Sequence, residues 1–206
     1  NKIYTPNLIC ENYKKNFIKI QDLGDVTGVK KFKKFNISNY LKLIDILQRL
    51  KKIKTKKIKT FLNTSYKIPK YTNKLLVDEA QLFTKWYLPT KIKKNRKKIS
   101  IEFLNILKKL TLQLELKKDV FVHRDFHISN IMILNTKFYL IDSQDAVYGN
   151  ETYDLASLVD DVRLKLSLEN REKIYNSFII KNKKIDNLKF RNDFEVLSVI
   201  RNLKII

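Results

Sequence analysis

Apolar residues recur every three to four positions between 39 and 53, in "NYLKLIDILQRLKKI", where Leu41, Ile44, Leu47 and Leu50 form one stripe. That period predicts an amphipathic helix, with Ser38 as its N-terminal cap. "TNKLLVDEAQLFTKWYL" predicts a second helix, stopped by Pro89, and Phe83 and Trp86 fit its core stripe. Ser100 fits the cap of a third, "IEFLNILKKLTLQLEL". The texture then changes. "VFVH", "IMIL" and "KFYLID" are short runs rich in β-branched or aromatic residues, the last two separated by "NT", and they predict strands with a tight turn. Beyond Gly149 the helical period returns in "TYDLASLVDDVRLKL", "ENREKIYNSFIIKN" and "LKFRNDFEVLSVIRNLKII". Near the start, "NFIKIQDLGD" begins as an alternating strand and ends in a glycine turn. The order predicts an α+β fold with a helical bulk and a small β insert.

Composition changes this picture little. Hydrophobic residues make up 44% of the 206, enough to bury a core. The formal charge of +22 first suggests nucleic acid. However, it is carried mostly by Lys rather than Arg, whose planar fork grips phosphates and bases. Lys rises together with Ile and Asn, as A/T-rich coding dictates. Lysine runs such as "KKIKTKKIK" therefore read as solvated helix faces or loops. The single cysteine, Cys10, excludes an internal disulfide and reads as an inert buried thiol. No apolar run is long enough to cross a bilayer as a helix. The sequence thus points to a cytoplasmic protein whose main partner is neither nucleic acid nor membrane, and it leaves the oligomeric state open.

The candidate chemistry lies in the β insert. Both histidines of the chain fall in "HRDFHISNIMILNTKFYLIDSQDA", residues 123–146. Asp125 and Asn130 occupy a loop between two predicted strands, and Asp142 ends the next strand. A hairpin returns Asp142 to the side of Asn130. A carboxylate and an amide oxygen converging there suit Mg²⁺ with several waters retained. Asp125 on the same loop is placed to take or orient the proton of an attacking hydroxyl. Phosphoryl transfer needs this set. His123 and His127 stand at i, i+4 but on a loop, without the helical context of a zinc motif. Asp145 reads as a supporting residue, since Asp142 already fills the ligand position.

"HRDFHISN" followed by "LIDSQDA" matches the H-x-D-x-x-x-x-N plus I-D pattern of kinase-like folds. His127 stands where protein kinases carry Lys, and Ser143–Gln144 where they carry Phe-Gly. With "YG…TYDLASL" the pattern instead resembles the aminoglycoside phosphotransferase and choline kinase family. Within it, "IQDLGD", "LLVDEAQLFTKWYL" and "RNLK" are similar to bacterial N-acetylmuramate/N-acetylglucosamine anomeric kinases. The resemblance implies a protein-kinase-like fold and transfer of the γ-phosphate of ATP, with Mg²⁺, to a small-molecule hydroxyl. It implies Asp125 as catalytic base and Asn130 and Asp142 as metal ligands. Backbone groups near Gln21, Asp22 and Leu23 would meet adenine. His123 would pack and orient the catalytic loop, and Asp154 would brace it from below. Glu79 and His127 are candidates for the sugar pocket, Glu79 reading equally as a solvated helix acid and His127 as a hydrogen-bonded loop histidine. The acceptor class implied is an amino sugar, with an aminoglycoside or choline-type acceptor, or an inactive binding module, as alternatives. By the same resemblance, residues 1–23 are the end of the N-lobe with the hinge strand, and 24–206 are the C-lobe. Three glycines leave no room for a Gly-rich phosphate loop. The chain is therefore expected to be a fragment cut at both ends and inactive alone.

Overall fold

The computed structural model describes residues 2–60, 63–161 and 165–205. It is α+β, with eight α-helices and four separate two-stranded antiparallel ladders among those residues. Strands β1 (Leu8–Asn12) and β2 (Phe17–Ile20) pair first. A short helix α1 (Gly28–Lys31) and the long α2 (Ile37–Leu50) follow. Strands β3 (Lys57–Lys59) and β4 (Ser65–Lys67) make a second hairpin, exposed along its whole length. Next come α3 (Asn73–Ala80), a π-helical turn over Phe83–Tyr87, α4 (Leu88–Lys91) and α5 (Arg96–Leu112). The β insert contains β5 (Val120–Val122), β6 (Ile131–Leu134), β7 (Lys137–Leu140) and β8 (Val147–Gly149). Helices α6 (Tyr153–Val159), α7 (Leu168–Ile180) and α8 (Asn187–Ile205) close the fold.

Two clusters form the core. Tyr40, Leu43, Ile44, Leu47 and Leu50 of α2 pack with Leu155 and Leu158 of α6 and Ile174 and Phe178 of α7. Leu76 and Ala80 of α3, Leu107 of α5 and Leu197 and Ile200 of α8 make the second, with Val122, Val147 and Tyr153. The β insert touches both, which fixes the loop it carries. The β5–β8 ladder encloses the β6–β7 hairpin. The hairpin closes through Asn135 and Thr136, at φ 48° and 63°. Both residues at positive φ is the geometry of a two-residue type I′ turn. On its outer side the hairpin is tied to the amino-terminal segment: Ile133 N–H donates to the Val26 carbonyl and Leu140 N–H to that of Tyr4, both at 2.8 Å.

Several expectations are corrected. The cap of α2 is Asn36, whose side chain accepts from Ser38 N–H at 2.9 Å, so Ser38 lies inside the first turn. Helix α5 starts after Asn95, placing Ser100 within it. Pro89 does not stop its helix. The π-helical turn before it shifts the bonding so that Leu88 N–H reaches the Phe83 carbonyl, and Pro89 falls in the first turn of α4, where its missing N–H costs nothing. "KKIKTKKIK" contains strand β3, not a helix face. Cys10 is exposed on β1, and Trp86 is 67% exposed with Lys85 Nζ over its ring, so neither belongs to the core. The helix read over residues 152–166 ends at Val159, and its stretch 162–164 lies outside the described residues. No helix among the described residues is long and apolar enough to cross a membrane.

Candidate active site

The loop from His123 to Asn130 leaves β5, turns sharply at Arg124 (φ 72°), and re-enters β6 through a 3₁₀ turn over Ile128–Asn130. An arginine in the left-handed region costs on the order of 1 kcal/mol and must be held there. Asp154 holds it. One carboxylate oxygen accepts the His123 N–H at 2.7 Å and the other the Arg124 N–H at 3.1 Å. Asp154 is buried, and burial pushes its carboxyl up to about 7 against the lowering effect of those two N–H groups. His123 is fully buried beside the same loop, edge-on to Phe126. Burial lowers its pKa, so the ring is neutral. The nearby Asp125 charge and the backbone of Ile141 and Asp125 offset this only in part, without hydrogen bonds of ordinary geometry to the ring.

Asn130 Nδ2 donates to the Asp125 carbonyl at 3.0 Å and lies 3.4 Å from Asp142 Oδ2. Ile141 N–H donates to the Asn130 carbonyl at 3.1 Å, so the ladder brings Asp142 to the start of the hairpin. Asp142 itself sits at φ 66°, a second left-handed non-glycine residue at this mouth, and its carboxylate is exposed. Asn130 thus links the main chain at Asp125 to the Asp142 carboxylate. Two hard-oxygen ligands on adjoining chain ends fit a cation that keeps waters and binds phosphate oxygens, as Mg²⁺ does. Asn130 Oδ1 takes part in no described hydrogen bond, which leaves it for such an ion. His127 is buried, with Nε2 3.5 Å from Asn130 Nδ2.

Other expected residues lie farther out. Gln21 is pinned to β1: its N–H donates to the Asn7 carbonyl, and its Oε1 accepts from Asn7 Nδ2 at 3.0 Å. Asp22 accepts the Gly24 N–H at 2.8 Å, with Gly24 at φ 70°, and Leu23 is buried. No described hydrogen bond or ion pair joins these three to the Asp125 cluster. Glu79 is not a solvated helix acid. Its Oε1 pairs with Arg124, and its Oε2 accepts from Tyr71 Oη at 2.6 Å and lies 3.5 Å from Lys204 Nζ.

Three residues that sequence reasoning passed over complete the site. Gln144 donates from Nε2 to Asp142 Oδ1. Arg124 joins the catalytic loop to α3 through Glu79 and stands over the Tyr71 ring. Lys204, from the end of α8, lies 3.8 Å from Asp125 Oδ1. Gln144 was visible as the polar residue two positions after Asp142. The other two depend on contacts between distant parts of the chain.

A loop held by a buried acid thus carries Asp125 and Asn130, with Asp142 across the ladder. The chain belongs to the phosphotransferase enzyme family, whose model matches residues 40–176. A stretch of 99 residues is 31% identical to an N-acetylmuramate/N-acetylglucosamine kinase of Neisseria meningitidis serogroup B, and 95 residues are 32% identical to one of Pseudomonas aeruginosa. Each match covers 46% of this chain, which spans 28% of the length of either relative. The fold is similar to that of a type VIII aminoglycoside-3′-phosphotransferase, with a TM-score of 0.57 at 11% identity over 96% of this chain and 74% of the other. It is similar also to a choline kinase from Streptococcus pneumoniae, with a TM-score of 0.51 at 10% identity over 96% and 75%.

Proposed function

We propose that this chain carries the catalytic centre of an ATP-dependent phosphotransferase whose acceptor is a hydroxyl of an N-acetylated amino sugar. The observation that carries the reading is the convergence of Asp125, Asn130 and Asp142 at the open end of the β6–β7 hairpin. Asp125 takes the proton of the acceptor hydroxyl as its oxygen bonds to the γ-phosphorus and the bond to the ADP oxygen breaks. Asn130 and Asp142 hold Mg²⁺, which neutralises charge on the phosphate oxygens when bound. Asp154 and His123 keep the loop in position. Backbone groups at Gln21, Asp22 and Leu23 receive adenine, with residues 1–23 as lobe end and hinge and 24–206 as the helical lobe. Glu79 acts through Arg124 and Lys204 rather than on the sugar. The names of the two curated relatives support an amino-sugar acceptor.

The test is a panel of acceptors on the full-length protein with ATP and Mg²⁺, compared by kcat/KM. N-acetylmuramate and N-acetylglucosamine are expected to lead. A clear preference for kanamycin or choline reduces the reading to phosphotransfer alone. Nucleotide binding without turnover of any acceptor defeats it in favour of a binding module.

A further inference from the structure

Helix α8 ends beside the catalytic loop, and its Lys204 puts an ammonium between two carboxylates. Nζ lies 3.5 Å from Glu79 Oε2 and 3.8 Å from Asp125 Oδ1, with the lysine side chain 22% exposed. The neighbouring charges are accounted for. Glu79 already has Arg124 on Oε1 and the Tyr71 hydroxyl on Oε2. Glu151 is paired with Lys51, and Asp78 is exposed on the outer side of α3. Asp145 accepts from Arg124 through its main-chain carbonyl, and its exposed carboxylate is near enough to act on the same guanidinium. Two cations and two acids therefore meet where the acceptor hydroxyl reaches Asp125, and among the described residues both acids beside the Lys204 ammonium already face a cation.

We propose that Lys204 sets the charge class of the acceptor: it admits neutral and anionic hydroxyl compounds and excludes cationic ones. This rests on the phosphotransferase reading for the place of the acceptor, at Asp125. An acceptor hydroxyl on Asp125 Oδ1 brings the rest of the molecule within a few ångströms of Nζ. An ammonium on that molecule meets like charge in a half-buried setting, where the penalty corresponds to roughly tenfold or more in affinity. A carboxylate on it gains an ion pair instead. Lys204 also fixes Asp125 relative to α3 and α8, so its role is to position and to select.

The experiment uses the full-length protein with Mg²⁺ and a non-hydrolysable ATP analogue. Calorimetry gives the affinities of N-acetylglucosamine, N-acetylmuramate, choline and gentamicin for wild type, Lys204→Met and Lys204→Arg, and kcat and KM are measured with ATP. Lys204→Met is expected to tighten choline and gentamicin about tenfold relative to N-acetylglucosamine and to weaken N-acetylmuramate. Lys204→Arg, which keeps the charge, is expected to keep the wild-type order. If Lys204→Met weakens all four equally, the lysine is structural and the proposal is overturned. Failure of the wild type to bind any of them also overturns it. If wild type and variants show the expected order of binding but transfer no phosphate, charge selection stands and the phosphotransferase reading falls.

Discussion

Gly28 opens α1 against the underside of the catalytic loop, and Gly28→Ala tests how tightly that loop is held. The backbone conformation at Gly28 is one that alanine adopts freely, so strain is not the issue. Space is. A Cβ there falls inside van der Waals distance of the Ile128 carbonyl oxygen and 3.2 Å from both the carbonyl carbon and the Cβ of Ile128. The obstacle is main chain, which cannot rotate away. Restoring ordinary separations of about 3.5 Å or more parts α1 from the loop by roughly 1 Å. The two are also stitched at Val26–Ile133 and at the Thr27–Met132 bridge, so the shift is passed to the Asn130 end of the loop. Overpacking of this kind costs about 1–3 kcal/mol, and the gain of alanine over glycine in a helix, about 1 kcal/mol, offsets part of it. A net loss of up to about 2 kcal/mol lowers Tm by up to roughly 8 °C in a chain of this size. The larger effect falls on rate, because a misplacement of about 1 Å in a catalytic group costs on the order of 10²-fold. Thermal melts and single-turnover rates on the full-length protein measure the two. A wild-type Tm together with a wild-type rate refutes the reasoning. A lower Tm with an unchanged rate shows that Ile128 yields without moving Asn130.

Asp125→Asn is expected to lower kcat by about 10²–10⁴-fold while nucleotide affinity, measured by calorimetry, stays near wild type. Gln144→Ala removes the donor that steadies Asp142 and is expected to raise the Mg²⁺ concentration for half-maximal activity by about 10-fold or more, with little change in Tm because the side chain is exposed. Asp154 has its pKa raised by burial from 3.8 to about 7, so the native state holds its proton more tightly than the unfolded chain. Its contribution to stability is complete below about pH 4 and is lost as pH rises towards 7, a change of up to about 4 kcal/mol. In melts across that range, wild-type Tm should fall relative to Asp154→Asn, and parallel curves for the two contradict the assignment.

What was legible in the sequence is what local pattern encodes. The β6–β7 hairpin follows from "IMIL", "NT" and "KFYL", and the placing of Asn130 and Asp142 at its open end follows from the hairpin. Helices were visible as periods, but their starts were not. Asn36 competes with nearby Ser38, and only its hydrogen bond to the Ser38 N–H decides between them, while α5 starts after Asn95, a left-handed residue whose side chain makes no capping bond. Pro89 misleads because its consequence depends on a π-helical turn upstream, which has no signature in polarity. The β3–β4 hairpin has no buried face, so no alternation marks it. The ion-pair cluster of Glu79, Arg124 and Lys204 joins α3, the catalytic loop and the end of α8, and no window along the chain contains more than one of them.

The nested ladders give strand register a chemical meaning. Asn130 and Asp142 both stand just outside the open end of the β6–β7 pairing, where Ile131 lies opposite Leu140, and the Asn135–Thr136 turn at the other end sets that alignment. Side chains alternate between faces with a period of two, so a slip of one residue carries Asp142 to the opposite face of the ribbon. The same slip turns Phe138 and Leu140, which β7 sends into the helical core, away from it. Such a molecule would keep its helices yet have lost its amide–carboxylate pair along with part of its core. A pair of turn residues on the outer rim, far from any substrate, therefore governs whether the site is spelled correctly.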